Sequence, residues 1–264
     1  MSDGGRATDS GQPLVSASLF DTKPLRFLEA SVPAVENALA LEEGLLAAID
    51  AGESPGTLFV WEWSAPAVIV GRSNALSREV NREACSTDNV PMLRRCSGGG
   101  AVVIGRGCLC YALILPIGPE HRTVGISATT RAIMQRTASG FTAAGYNVTV
   151  EGISDLAMDG RKFSGNSQRW MRTAMLHHGT ILYDFELAQI SRYLRFPSRQ
   201  PDYRADRDHA AFVCNLPVSR TDTIALLKSA WTAVTGAWEP EESARAGRLL
   251  ETRYSDATWH RGKE

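Results

Sequence analysis

The chain has 264 residues, 44% of them hydrophobic, with a formal net charge of −1. That is apolar content enough for a sizeable core in one large or two small domains, and no basic excess of the kind that binds nucleic acid through a broad field. Cys85, Cys96, Cys108, Cys110 and Cys214 follow no regular spacing and include no CxxC pair, which fits reduced thiols rather than a disulfide framework or a cysteine zinc site.

Residues 1–18 are rich in Gly, Ser and Asp and read as a flexible tail ahead of one domain over residues 19–264. The tail lacks the apolar core of a secretory signal, and Asp3 and Asp9 are out of place in a mitochondrial presequence. No stretch approaches the ~20 apolar residues needed to span a bilayer. The expectation is a cytoplasmic protein without a membrane or nucleic-acid partner. From Pro33 to Gly52 the pattern is helical, with Val35, Leu39, Leu46 and Ile49 on one face. Strands are expected over Thr57 to Trp63 and Ala67 to Gly71, then a short charged helix over Ser77 to Ala84 with a serine cap. Pro91 to Arg95, Ala101 to Ile104 and Cys108 to Leu115 read as strands joined by glycine-rich turns. A helix is expected over Gly125 to Ala144, with Ile126, Ile133 and Phe141 on one side. Strand character resumes at Asn147 to Val150, Asp155 to Met158, Arg161 to Ser164 and Ala174 to Leu182; helices are expected over Glu186 to Leu194 and Thr221 to Val234, and then a polar tail. Without a steady βαβ alternation, the order implies an α+β fold, a mixed sheet flanked by helices.

The most informative segment is Arg94-Arg95-Cys96-Ser97-Gly98-Gly99-Gly100-Ala101-Val102. Residues without Cβ atoms admit positive φ and close approach of backbone amides to a ligand. Successive amides in such a bend form an anion-binding concavity, and the arginines can add bidentate contacts to phosphate or carboxylate. The same spacing also fits a glycine-rich turn with solvated arginines. Neither GxGxxG nor the GK[ST] ending of a P-loop is present.

A second cluster runs from Asp155 to Ser167. Asp159-Gly160 is a hairpin turn signal, and strict alternation sends Lys162 and Ser164 to one face, Arg161 and Phe163 to the other. A strand lysine can present a compact positive charge where an acyl or phosphoryl oxygen gains negative charge; a solvated surface lysine is the plainer reading. His177 and His178 are sequence neighbours on a strand and so point to opposite faces, which argues against a shared metal.

Together these segments resemble the lipoate–protein ligase A family of the biotin/lipoate A/B protein ligase superfamily. Glu36-Asn37-Ala38-Leu39-Ala40-Leu41-Glu42-Glu43 resembles its first-helix motif, and Val68-Ile69-Val70-Gly71-Arg72-Ser73-Asn74 its next landmark. RRCSGGGAV resembles its adenylate-binding loop, DGRKFSGNSQR the segment with its essential lysine, and HHGTIL and the Tyr203-Arg204 to Leu216 stretch complete the series over about residues 33 to 216. The resemblance implies the α+β architecture of biotin protein ligases and class II aminoacyl-tRNA synthetases. It also implies activation of lipoate with ATP and Mg2+ to lipoyl-adenylate, then transfer to a carrier-domain lysine of a 2-oxoacid dehydrogenase E2 or a glycine-cleavage H protein. Position by position, it assigns ATP and adenylate contacts to Arg95, Ser97, Gly98, Gly99, Gly100, Ala101, Val102, Val103, Asp155 and Lys162. Lipoyl contacts fall to Lys162, Ser164, Gly165, His178, Gly179 and Thr180, with Lys162 the catalytic residue and no protein metal site.

The chain departs from the family pattern at Ile104-Gly105, where relatives usually carry His-Asp, and at Cys108, where an asparagine is usual. The stretch after Leu216 is too short for the C-terminal accessory domain of larger bacterial ligases, so a separate accessory subunit is an expected partner. These departures leave two alternatives. One is a lipoyl or octanoyl acyltransferase without the activation step, with Cys96, Cys108 or Cys110 as nucleophile. The other is a noncatalytic relative that binds acyl-adenylate.

Overall fold

The computed structural model describes residues 19–20, 23–197 and 200–262; the expected tail over 1–18 lies outside them. In chain order, β1 (Arg26–Ala30), α1 (Val35–Asp50), β2 (Thr57–Trp61) and β3 (Ala67–Val70) precede two short helices, α2 (Leu76–Glu79) and α3 (Arg82–Thr87). Next come β4 (Met92–Arg94), β5 (Ala101–Ile104), β6 (Cys108–Pro116) and α4 (Pro119–Ala143). An antiparallel run is then formed by β7 (Val148–Glu151), β8 (Asp155–Met158), β9 (Arg161–Trp170) and β10 (Ala174–Leu182). The chain continues through α5 (Ala188–Tyr193), α6 (His209–Phe212), α7 (Arg220–Ala230), β11 (Val234–Thr235), α8 (Pro240–Leu249) and α9 (Ala257–Arg261).

Eight strands form a mixed sheet in the order β11-β1-β2-β6-β10-β9-β8-β7, parallel only where β1 meets β2 and β11. A small second sheet has the order β4-β3-β5. The fold is therefore α+β, as the element order implies. The main sheet is buried on both faces, and β6 shows how its sequence achieves this. Cys108, Cys110, Ala112 and Ile114 join the cluster beneath α1. The alternate residues Leu109, Tyr111, Leu113 and Leu115 join the cluster beneath α4 and α7. A strand apolar at every position is the signature of two-sided burial, and each fully buried large apolar side chain contributes ~1.5–3 kcal/mol.

Helix α1 buries Val35, Leu39, Leu46 and Ile49 as its periodicity requires. Elsewhere the structure corrects the expectations. The helix expected over Ser77 to Ala84 is broken at Val80, which bridges Leu194, and the capping side chain is Asn81, accepting from the Ala84 amide at 3.4 Å. Helix α4 starts earlier than expected, at Pro119, and kinks at Gly125 with φ 83°. Ile126, the first residue beyond the kink, is 56% exposed, while Ile133 and Phe141 further along the helix are buried. The C-terminal stretch is no polar tail. Tyr254 is buried against Glu43, donating to its carboxylate at 2.7 Å, and α9 packs on β4. Among the described residues no helix is long and apolar enough to cross a membrane.

Candidate functional site

One cavity of about 720 Å³ opens between the small sheet, β9 and the loops around α5 and α6. Gly99, Gly100 and Ala101 to Val103 from the small sheet and Lys162 and Gly165 from β9 all line it. An apolar end is formed by Leu39, Trp61, Ile69, Cys110 and Leu182.

The glycine bend is held from inside by its carbonyls. Arg95 Nη2 donates to the Gly98 and Gly100 oxygens at 2.6 and 3.0 Å, Ser167 Oγ donates to Gly98 at 2.8 Å, and Asn74 Nδ2 donates to Gly99 at 2.7 Å. Among the described residues, the amides of Gly98, Gly99 and Gly100 donate to no protein acceptor. Carbonyls turned inward with amides left over is the arrangement that an anion-binding concavity requires. The bend also needs a neighbour without a side chain: a Cβ on Gly71 would lie 2.1 Å from the Gly99 oxygen.

The two upstream arginines have different tasks. Arg95 is buried, and burial lowers its guanidinium to about 10, still a cation at neutral pH. Arg94 is also buried and donates entirely to backbone oxygens. Its Nη1 reaches Gly71, Arg72 and Asn74 at 2.8, 3.2 and 2.7 Å, Nη2 reaches Arg261 at 2.9 Å, and Nε reaches Trp259 at 3.1 Å. It braces the turn that carries Gly71 and Asn74, and ties it to α9.

Across the cavity, Asp159 (φ 51°) and Gly160 (φ 70°) form the expected tight turn. Leu156 pairs with Ser164 and Ala157 with Lys162, so Phe163 is the extra residue of a β-bulge. The bulge overturns strict alternation. Ser164 now shares the face of Leu156, and Gly165, paired with Asp155, shares that of Lys162. A Cβ on Gly165 would lie 2.7 Å from Lys162 Nζ. The ammonium sits in the space that this glycine leaves, 2.7 Å from Asp155 Oδ1, and Tyr203 donates to Asp155 Oδ2 at 2.8 Å. Burial, then the Asp155 charge, raises the Tyr203 phenol far above its usual value, so it stays a donor.

His178 and Thr180 reach the cavity from β10. Both ring nitrogens of His178 are engaged, Nδ1 by Glu42 at 2.5 Å and Nε2 by Ser97 Oγ at 2.6 Å. Gly179 contributes backbone to the lining, with the Asn166 side chain lying where its Cβ would be. Ser97 and Gly98 stand behind the wall, and Asp155, also outside the lining, is paired with Lys162. His177 points to the other face, as alternation requires. The cysteines of the described residues are all buried. Burial pushes the Cys96 thiol up to about 11 and that of Cys110 well above its ordinary value. Among the described residues no group of three or more His, Cys, Asp or Glu side chains is arranged to hold a metal ion.

Sequence reasoning overlooked Glu42, Asn74 and Gly71 as parts of the site. Glu42 had a signal: a carboxylate three residues after Leu39 on the buried stripe of an amphipathic helix. It is 3% exposed, and Trp61 Nε1 donates to it at 2.9 Å.

Residues 34–232 match the family model for the lipoyl protein ligase A/B catalytic domain. Over 155 residues, 59% of the chain, the sequence is 34% identical to a Mycoplasma pneumoniae protein named "Probable lipoate-protein ligase A" and covers 44% of it. A Mycoplasma genitalium protein of the same name is 32% identical over 155 residues, with 45% of its length covered. The chain thus spans less than half of these relatives. Among solved structures, a lipoate-protein ligase A bound with ATP superimposes with a TM-score of 0.79 at 19% identity, covering 91% of this chain and 99% of that one. A bi-partite lipoate protein ligase from Thermoplasma acidophilum, studied together with its E2 lipoyl domain, gives 0.77 at 19% identity, covering 92% and 99%. The P. falciparum LipL1 complex with lipoate gives 0.69 at 20% identity, covering 92% and 75%. Likeness at this level of identity shows a shared fold.

Proposed function

Because the chain belongs to the lipoyl protein ligase A/B catalytic domain family, we propose that it activates lipoate with ATP and passes the lipoyl group to a carrier-domain lysine. The observation that carries this reading is that Gly99 and Gly100, with their free amides, and Lys162 line one cavity. In the first step a lipoate carboxylate oxygen attacks the α-phosphorus, forming lipoyl-adenylate and releasing pyrophosphate. Gly99 and Gly100 supply anion donors, and Lys162 faces the oxygens that gain charge. In the second step the neutral amine of the acceptor lysine attacks the acyl carbonyl, and AMP leaves as the amide forms. No nucleophilic side chain of this protein is needed.

The apolar end formed by Leu39, Trp61, Ile69, Cys110 and Leu182 suits the dithiolane tail. Asp155, held by Tyr203, aims Lys162 into the cavity. Ser164 and His178 both line the cavity, and His178 also bonds to Ser97. Mg2+ fits as an ion carried by the nucleotide phosphates, since such ions keep most of their shell from phosphate and water. The acceptor is a carrier domain of a 2-oxoacid dehydrogenase E2 or a glycine-cleavage H protein. Residues 19–264 act as one catalytic domain in the cytoplasm, with room for a separate accessory subunit. Transfer through cysteine is the weaker reading, because raised thiol pKa values leave Cys96 and Cys110 poor thiolates.

Purified protein given ATP, Mg2+ and lipoate should exchange labelled pyrophosphate into ATP, and Lys162→Ala should lower that rate ~10²–10³-fold. No exchange, but transfer from supplied lipoyl-adenylate, would make it a transferase. Loss of both with the adenylate still bound would make it a binding protein.

A further inference from the structure

Glu42, His178 and Ser97 are hydrogen-bonded in the order of a serine-hydrolase triad, at 2.5 Å and 2.6 Å. A nucleophilic serine is nevertheless excluded. Ser97 is 1% exposed and does not line the cavity, and its Oγ accepts from Arg95 Nε at 3.0 Å. The group needs another explanation, because a carboxylate and an imidazole this deeply buried must be satisfied to be tolerated.

Proton accounting fixes its state. Arg95 Nε–H can only donate, so Ser97 Oγ receives that bond and has its own proton to give. Among the described residues the acceptor offered is His178 Nε2, which must therefore carry a lone pair. His178 Nδ1 then bears the hydrogen and donates to Glu42, whose other oxygen accepts from Trp61. Any ring with a hydrogen on Nε2, neutral or cationic, would leave the serine proton without an acceptor among the described residues, and the neutral one would also set a bare nitrogen lone pair against the Glu42 carboxylate at 2.5 Å. Beyond Ser97 the chain of bonds continues through Arg95 Nη2 to the Gly98 and Gly100 oxygens.

We propose that Glu42 is a positioning residue for the glycine bend. It selects one tautomer of His178, which orients Ser97; Ser97 seats Arg95; and Arg95 turns the loop carbonyls inward so that the amides face the nucleotide. This rests on the ligase reading for the identity of the ligand, while the hydrogen-bond chain stands without it.

Long-range 1H–15N spectra of the full labelled chain read the tautomer directly, with the His178 signals assigned by their loss in His178→Gln. An Nδ1-protonated ring is expected in the wild type, and an Nε2-protonated one overturns the proposal. Glu42→Gln, whose amide disturbs the carboxylate–imidazole bond with little change in shape, should weaken ATP binding measured by calorimetry by about 10- to 100-fold. Ser97→Ala should weaken it similarly, and the double variant no further than the worse single one. Unchanged ATP affinity in a folded Glu42→Gln, or strictly additive losses, overturns the proposal. Binding is measured without turnover, so a wild type that binds ATP but exchanges no pyrophosphate sinks the ligase reading and leaves this one standing.

Discussion

The two faces of the central sheet bury ionisable side chains under opposite rules, and the adjacent residues His177 and His178 display both. His178, on the α1 face, bonds through both ring nitrogens within a chain of buried polar groups. His177, on the α4 face, is fully buried, and among the described residues neither of its nitrogens has a partner. Burial, and then the neighbouring His178, lowers its pKa to about 3, so it persists as a neutral, poorly satisfied imidazole in an apolar cluster. The same contrast holds for acids. On the α1 face Glu43 is buried, which raises its pKa, yet Arg253, Tyr254 and Arg169 together bring it below its usual value. The lesson is that buried charge is tolerated here where it is paired, as it is for Glu43 and for Arg26 with Glu242.

The largest effect should come from invading the charged side. Gly71→Ala would push a methyl group into the backbone oxygens of Gly99 and Gly98, at 2.1 and 2.8 Å, and neither is a flexible end that can swing away. Pyrophosphate exchange should fall by ~10² or more, as for loss of a preorganised donor set, with the melting temperature changing far less. Near-normal exchange would show that the bend does not depend on this close approach. A milder perturbation is Gly165→Ala, whose Cβ would crowd the mobile end of Lys162 at 2.7 Å. A displacement of this size should cost about 10-fold in rate, mostly in kcat, and retention of full rate would free Lys162 from its present seat.

The smallest effect on catalysis, and the sharpest contrast, is expected from His177→Leu. Exchange activity should be unchanged, while stability in denaturant rises by ~1–3 kcal/mol as orphaned polar atoms leave the core. The pH dependence is set by the protons bound in each state. An unfolded histidine titrates near ~6.5, whereas the folded one is lowered to about 3. The stability that His177 leaves intact above ~6.5 is therefore lost as pH falls toward 3. His177→Leu should flatten that acid limb, and an unchanged limb would assign it to other groups.

Much of this was readable in the chain. Alternation placed His177 and His178 on opposite faces, Asp159-Gly160 announced its turn, and the apolar run of β6 foretold a buried strand. The family resemblance named the glycine run and Lys162 together, which no local pattern could do, because their proximity is set by the packing of two sheets. The bulge at Phe163 was invisible, since one extra residue in a strand leaves the period of its neighbours intact while changing which of them face the ligand. Glu42 was passed over because a helix-face carboxylate is normally solvated; only its contact with Trp61 and His178 reveals that it is not.

The Arg94 guanidinium has a consequence for motion. It joins the backbone of residues 71, 72 and 74 to that of residues 259 and 261, and among the described residues it pairs with no carboxylate. Loosening either partner strands a buried cation, so the final helix and the turn beneath the glycine bend should open as one cooperative unit. Their amides would then exchange with solvent at a common rate, and a disturbance in the final helix would be felt at the glycine bend.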